Sequence, residues 1–272
     1  MNATVDIITI GVSDLARSRD FYEQAFGSLV KEDRPDSVVL DLGAGSSALE
    51  LRPWAALAEE FGAAPDSTGF RGFTLSYIVE EAAIVDNVLN RVTAAGGQIA
   101  KPPRNALWGY SAYITDPSGH LWKIGSSKRR PLLGRKKPVD AGTIAAKEIA
   151  LTIAVSDIKQ AKKFYTEGLG RTIKKDYAKF VAFAGPDGNS DLAMYTREAL
   201  ADDAGVPADG SGFRGFSVTH LATSASDVEA TLAAAAQAGA TILKPTAAAD
   251  EGRYQGYLAD PDGFLWKISS GS

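Results

Sequence analysis

The chain repeats itself, and that constrains its fold more than any other feature. TIGVSDLARSRDFYEQAFG, beginning at Thr9, returns as TIAVSDIKQAKKFYTEGLG, beginning at Thr152, an offset of 143 residues. The same offset superposes Gly69-Phe70-Arg71-Gly72-Phe73 on Gly212-Phe213-Arg214-Gly215-Phe216, and the stretch from Ala94 on that from Gln237. After one inserted residue, YSAYITDPSGHLWKI from Tyr110 matches YQGYLADPDGFLWKI from Tyr254. One unit of about 125 residues is therefore present twice. The expected domains are residues 1–126 and 144–272, with a linker over 127–143 rich in Lys, Arg and Pro. Without interleaved aromatics, that linker reads as solvated chain rather than a nucleic-acid patch.

Within each copy, strand and helix signals alternate twice. Val5 to Val12 is β-rich; Ser13-Asp14 supplies a helix cap, and Gly27 a helix end. Phe70 to Val79 reads as a strand, Glu81 to Ala95 as a helix ended by Gly96-Gly97, and the Asp116 and Asp260 turns as hairpins. Each copy is therefore βαβββ taken twice. The expectation is an α+β protein of four βαβββ modules.

Composition narrows the chemistry. The sequence has no cysteine and only two histidines, His120 and His220, which excludes disulfides, thiolate nucleophiles and any all-histidine metal site within one chain. A net charge of −4 argues against a nucleic-acid partner. No apolar run is long enough to span a membrane and no leader peptide is evident, so a cytoplasmic location is expected.

The paired V-S-D-(L/I), (K/R)-x-F-Y-x-x-x-(F/L)-G and Y-x-x-D-P-x-G-(H/F)-L-W-x-I motifs resemble the vicinal oxygen chelate superfamily, which includes glyoxalase I, bleomycin-resistance proteins and extradiol dioxygenases. The resemblance implies two curled mixed-sheet domains, each a cup for a small molecule and, in the enzymes, usually a divalent metal. The family's metal positions fall on Ile7 and Ala150 in the leading strands, Phe73 and Phe216 in the second modules, and Lys123 and Lys267 in the closing strands. Glu50 could match a further family acid, but its counterpart is Ala193. Ile, Ala and Phe offer no ligand atoms and lysine opposes a cation, so no metal and no other cofactor is expected.

What lines the cups instead leaves several roles open. Lys123 and Lys267 are candidates to anchor an anionic oxygen or to pair with a local acid. His220 and Glu50 are candidate proton carriers. Trp108, Tyr110, Tyr113, Tyr254 and Tyr257 are candidate ligand-contacting aromatics, with Arg253 at one mouth. Arg71 and Arg214 either clamp a carboxylate or pin their glycine-flanked loops. The expected function is metal-independent binding of a small aromatic or anionic molecule, with a metal-independent lyase or isomerase as the alternative. Two copies in one chain suit a monomer with an internal pseudo-dimer, with a homodimer as the alternative.

Overall fold

The computed structural model describes residues 2–44, 47–106, 109–131, 144–249 and 252–270. Module one comprises β1 (Ile7–Val12), α1 (Leu15–Phe26), β2 (Leu29–Arg34), β3 (Ser37–Asp41) and β4 (Ala48–Pro53). A short helix α2 (Trp54–Glu60) and strand β5 (Ser67–Gly69) lead into module two: β6 (Phe73–Val79), α3 (Ala82–Ala94), β7 (Gln98–Ala106), β8 (Gly109–Thr115) and β9 (Leu121–Ser126). Module three runs through β10 (Ala146–Val155), α4 (Ile158–Lys163) with a wider helical turn at Phe164–Gly168, β11 (Ile173–Tyr177), β12 (Phe180–Ala184) and β13 (Ser190–Thr196). Then come α5 (Arg197–Ala204), β14 (Gly210–Gly212), and module four: β15 (Phe216–Ala222), α6 (Ala225–Gln237), β16 (Thr241–Ala248), β17 (Tyr254–Ala259) and β18 (Leu265–Ser270).

Local chemistry sets the helix limits. The Asp14 carboxylate accepts the Arg17 N–H at 2.9 Å, opening α1, and Gly27 at φ 66° closes it in the left-handed conformation that glycine adopts without steric cost. Asp157 caps α4 in the same way.

The expected curled sheets are overturned. The chain makes two open eight-stranded mixed sheets, ordered β16-β17-β18-β15-β1-β4-β3-β2 and β11-β12-β13-β10-β6-β9-β8-β7. Each crosses between the halves: β1 pairs antiparallel with β15, and β10 with β6. Module one thus shares a sheet with module four, and module two with module three. Joining two four-stranded pieces through their leading strands extends the sheet sideways, and the outer strands remain edges rather than closing on each other. Those edges are protected by charge and proline: Lys31 to Arg34 on β2, Lys174 to Asp176 on β11, Pro102 and Pro103 on β7, and Pro245 on β16.

Between the halves, repeat-equivalent residues meet each other. Thr68 pairs with Ser211 in the two-stranded β5–β14 ribbon, and the Phe73 and Phe216 rings lie 4.0 Å apart between centroids. Self-pairing of equivalents defines an approximate two-fold axis inside one chain. One face of each sheet lies in a continuous apolar core. There Tyr22, Phe26 and Trp122 pack in the first half, and Phe164, Tyr165 and Trp266 in the second. The opposite faces are crossed by α2 and α5.

Candidate functional site

Strand register decides which candidates share a face. Thr9 lies beside Glu50 on one side and Ser217 on the other, while Thr219 lies beside Lys267 and Lys267 beside Tyr257. Side chains at alternate positions share a face, so Ile7, Thr9, Glu50, Arg52, Thr219, Tyr257 and Lys267 line one face of the first sheet. The corresponding face of the second carries Ala150, Thr152, Ala193, Ser76, Tyr113 and Lys123.

Both lysines end on a carboxylate from the helix crossing their face. Lys267 Nζ lies 3.0 Å from Glu60 Oε1, at the end of α2, and the Tyr257 hydroxyl donates to the same oxygen at 3.1 Å. Lys244 Nζ donates to the Glu60 carbonyl at 2.6 Å, and Arg52 pairs with the other Glu60 oxygen. In the second sheet, Lys123 Nζ lies 2.6 Å from Asp203 Oδ2, at the end of α5, and the Tyr113 hydroxyl donates to that oxygen at 2.6 Å. Lys101 Nζ donates to the Asp202 and Asp203 carbonyls at 2.9 and 2.6 Å. Glu60 and Asp203, Lys244 and Lys101, stand at the repeat offset. The two clusters are one device made twice.

Electrostatics ties each cluster shut. Burial alone would raise the Asp203 carboxyl; the Lys123 charge and hydrogen bond, with help from Tyr113 and Lys101, bring it below the ordinary aspartate value. Burial first, and then the adjacent Asp203 charge, push the Tyr113 phenol well above its usual range. Tyr257 is raised in the same way, by burial and then Glu60. Both phenols stay protonated at neutral pH and act as donors, not bases. The helices are anchored beneath by apolar packing: Leu57, Ala58 and Phe61 against Phe213 and Tyr257, and Leu200 and Ala201 against Phe70 and Ala154.

The remaining candidates disperse. Glu50 accepts the Thr9 hydroxyl at 2.7 Å on the first sheet, whereas Lys123 lies on the second. His220 is one residue out of phase with Thr219, so it faces away from Lys267; its Nδ1 lies 2.9 Å from Asp6 Oδ2. Tyr110 likewise turns from the Lys123 face, donating to Asp86 on α3 at 2.9 Å. Tyr254 is exposed near the sheet edge and Arg253 is half-buried. Trp108 lies outside the described residues. Arg71 donates to the Ser118 carbonyl at 3.1 Å, and Arg214 to the equivalent Asp262 carbonyl at 2.7 Å, so each guanidinium ties down a D-P-x-G turn of its own copy. Two glycines accommodate these loops: a Cβ at Gly215, φ 75°, would collide with the Trp54 ring, and one at Gly72, φ 79°, with Arg214. The sequence reading missed Glu60, Asp203, Arg52, Lys101 and Lys244; the recurrence of an acid at Glu60 and Asp203 and of a lysine at Lys101 and Lys244, each at the repeat offset, was the signal available.

Beside α2, a cleft of about 320 Å³ opens between Ala63, Phe213, Phe216 and Leu265, with Asp66 and Arg214 at its polar points. Its size and mostly apolar lining fall within the range of small-molecule sites.

The residues do not fit a divalent metal. Ile7, Ala150, Phe73 and Phe216 present no ligand atom, and the two closing-strand positions hold ammonium groups already bonded to carboxylates. Among the described residues no group of three or more His, Asp or Glu side chains converges.

Paired mixed sheets assembled crosswise from a duplicated βαβββ unit define the tandem form of the vicinal oxygen chelate fold. The Glyoxalase/Bleomycin resistance protein/Dioxygenase superfamily pattern matches residues 4–124 and again 148–268, and the chain belongs to that superfamily. Glyoxalase I from Zea mays is similar in structure, with a TM-score of 0.66 and 18% identity over 99% of this chain and 92% of that one. A glyoxalase-related enzyme from Fulvimarina pelagi is 28% identical over 45% of this chain and 86% of its own, with a TM-score of 0.42. The maize likeness bears on the fold alone. No protein of curated function matches. Among the described residues no helix is long and apolar enough to cross a membrane.

Proposed function

We propose that this protein binds a small organic molecule without a metal ion, as a carrier or sequestering protein, in the cleft bordered by Phe213, Phe216, Leu265 and Arg214. The observation that carries this reading is the closure of Lys123 and Lys267 onto Asp203 and Glu60. It fills the position a metal carboxylate would occupy with an internal ion pair and leaves the neighbouring cleft as the concave apolar surface. An aromatic or aliphatic body fits the Phe213–Phe216–Leu265 walls, and a polar or anionic substituent fits Arg214.

A lyase or isomerase would need a free ammonium and a proton carrier on one face. Both lysines are engaged, both nearby phenols are held protonated, and His220 faces the other way, so the geometry supports binding over turnover. Each chain supplies both halves of both sheets, which supports a monomer as the working unit.

The test is ligand capture. Chelated protein is equilibrated with a metabolite extract by dialysis, and the retained compounds are identified by mass spectrometry. The expected result is a compound recovered unchanged, whose retention falls in Phe213→Ala or Leu265→Ser. Retention that is lost on chelation and restored by a divalent ion, or conversion of the compound, contradicts the reading.

A further inference from the structure

Beside the β5–β14 ribbon at the approximate two-fold axis lies a second, smaller pocket of about 110 Å³, lined by Phe70, Arg197, Ser211 and Arg214 among others, with Arg71, whose guanidinium is bonded to His120 and Ser118, also at its wall. Its volume is well above what a single water needs and well below that of most organic-ligand sites. No acidic residue lines it. Arg197, the first residue of α5, comes from one side and Arg214, in the Gly-Phe-Arg-Gly-Phe loop, from the other.

Each guanidinium is fixed by backbone carbonyls and has a nitrogen to spare. Arg197 donates through Nε to Ala208 O at 2.8 Å and through Nη2 to Phe70 O at 2.7 Å, while its Nη1 has no acceptor among the described residues. Arg214 Nη2 holds Asp262 O; its Nη1 reaches only Arg71 O, at 3.5 Å, the outer limit of a hydrogen bond. Both Nη1 atoms converge above Gly72: a Cβ there would lie 2.8 Å from that of Arg197 and would collide with that of Arg214. Neither guanidinium forms an ion pair among the described residues. Arg214 feels Asp260 and Asp262 favourably and Arg197 unfavourably. Two like charges brought close together beside a small pocket, each with a nitrogen to spare, are an arrangement that an anion relieves.

The repeat shows that this pair is not imposed by the fold. At the two-fold-equivalent position Arg197 is replaced by Trp54, whose ring packs on Gly215 and stacks under the Arg71 guanidinium at 4.5 Å. One half therefore closes the corresponding spot with an aromatic ring, and the other leaves a second cation.

We propose that the pocket between Arg197 and Arg214 binds a phosphate-type oxyanion, either free or as the end of a phosphomonoester. Two guanidinium edges approaching from separate elements suit a tetrahedral anion better than a planar carboxylate, which prefers one fork taken face-on. The pocket shares Gly212, Phe213 and Arg214 with the larger cleft, so a phosphomonoester could extend its organic part there. The oxyanion site itself does not depend on that cleft being used.

The experiment is calorimetric titration of the chain with inorganic phosphate, then phenyl phosphate, at constant ionic strength held with chloride. Wild-type protein should bind one phosphate per chain saturably at millimolar concentrations or below. Arg197→Trp, which copies the arrangement of the other half, should weaken binding at least tenfold while keeping a cooperative thermal transition in chloride. Arg197→Gln serves if the tryptophan disturbs folding. Tighter binding of phenyl phosphate marks a phosphomonoester site and equal binding a free-oxyanion site. Absence of saturable binding to both compounds, or unchanged affinity in folded Arg197→Trp or Arg197→Gln, overturns the proposal. Because Leu265 lines the larger cleft and not the smaller pocket, Leu265→Ser separates failure of the cleft reading from failure of the oxyanion site.

Discussion

Lys267 Nζ lies 3.0 Å from Glu60 Oε1, and the two residues come from opposite halves of the repeat. The lysine is about a quarter exposed and the glutamate less, and the pair is reinforced by Tyr257 and Arg52. Glu60→Gln should destabilise the protein by about 2 kcal/mol. That lies between the sub-kilocalorie worth of exposed pairs and the 3–5 kcal/mol loss on breaking a fully buried one. Urea unfolding checks it. Lys267→Met in the same background should recover part of the loss, because it removes the orphaned ammonium.

Tyr22 and Tyr165 are repeat equivalents with unequal surroundings. The buried Tyr22 hydroxyl donates to Asp116 at 2.6 Å and accepts the Trp122 indole N–H at 3.2 Å. Tyr165 donates to Asp260 at 2.7 Å, but the Trp266 indole N–H makes no hydrogen bond of good geometry among the described residues. Tyr22→Phe should therefore cost more than Tyr165→Phe, about 2–3 against about 1–2 kcal/mol. Equal losses in chemical denaturation would contradict this difference.

His120 is buried as the neutral ring: Arg71 donates to Nδ1 at 3.0 Å, and Nε2–H donates to Gly11 O at 2.8 Å. Burial is the main cause that lowers its pKa from 6.5. The unfolded chain then takes up the proton first, so the contribution is complete above about pH 6.5 and is lost as pH falls toward the folded value. Asp260, pushed up to about 7 by burial, has the opposite sense: stability declines as pH climbs from about 4 to 7. The His120 term is isolated by comparison with His120→Phe, which carries the residue found at Phe264. The wild type should lose more stability than this variant between pH 7 and 5.5.

Gly215 tests the loop at the two-fold axis. Its φ of 75° and the Trp54 ring over its Cα leave no room for a side chain. Gly215→Ala should cost more than the about 1 kcal/mol of a conformational penalty alone. A Trp54→Ala background should reduce that excess. Thermal unfolding of the single and double variants measures it.

Much of this architecture is legible in the sequence because the repeat fixes the modules and side-chain caps open α1, α4 and α6. Asp14 and Gly27 bound α1 through local chemistry that needs no tertiary partner. Strand β2 gives no such signal: every residue from Leu29 to Arg34 is exposed, so no apolar alternation marks it. Which modules share a sheet is written in the β1–β15 and β10–β6 ladders, and these form between segments too distant for pattern to pair. That pairing reassigns the sites. It puts Glu50 on the sheet that carries Lys267, and brings Glu60 across to Lys267. The lysines themselves were legible as substitutions at metal positions. Their carboxylate partners were not, because a helix-end acid acquires meaning only once the helix is laid across a particular sheet.

The most direct test of the account is the metal content of the two lysine-bearing sheet faces. The protein is stripped with chelator, dialysed separately against Mn²⁺, Ni²⁺ and Zn²⁺, freed of loose ions on a desalting column, and assayed by elemental mass spectrometry. Internal Lys–carboxylate pairs at both closing-strand positions predict far less than one ion per chain for each metal, with no rise in thermal midpoint. One or two retained ions per chain, lost on replacing Glu50, Glu60 or Asp203, would contradict it.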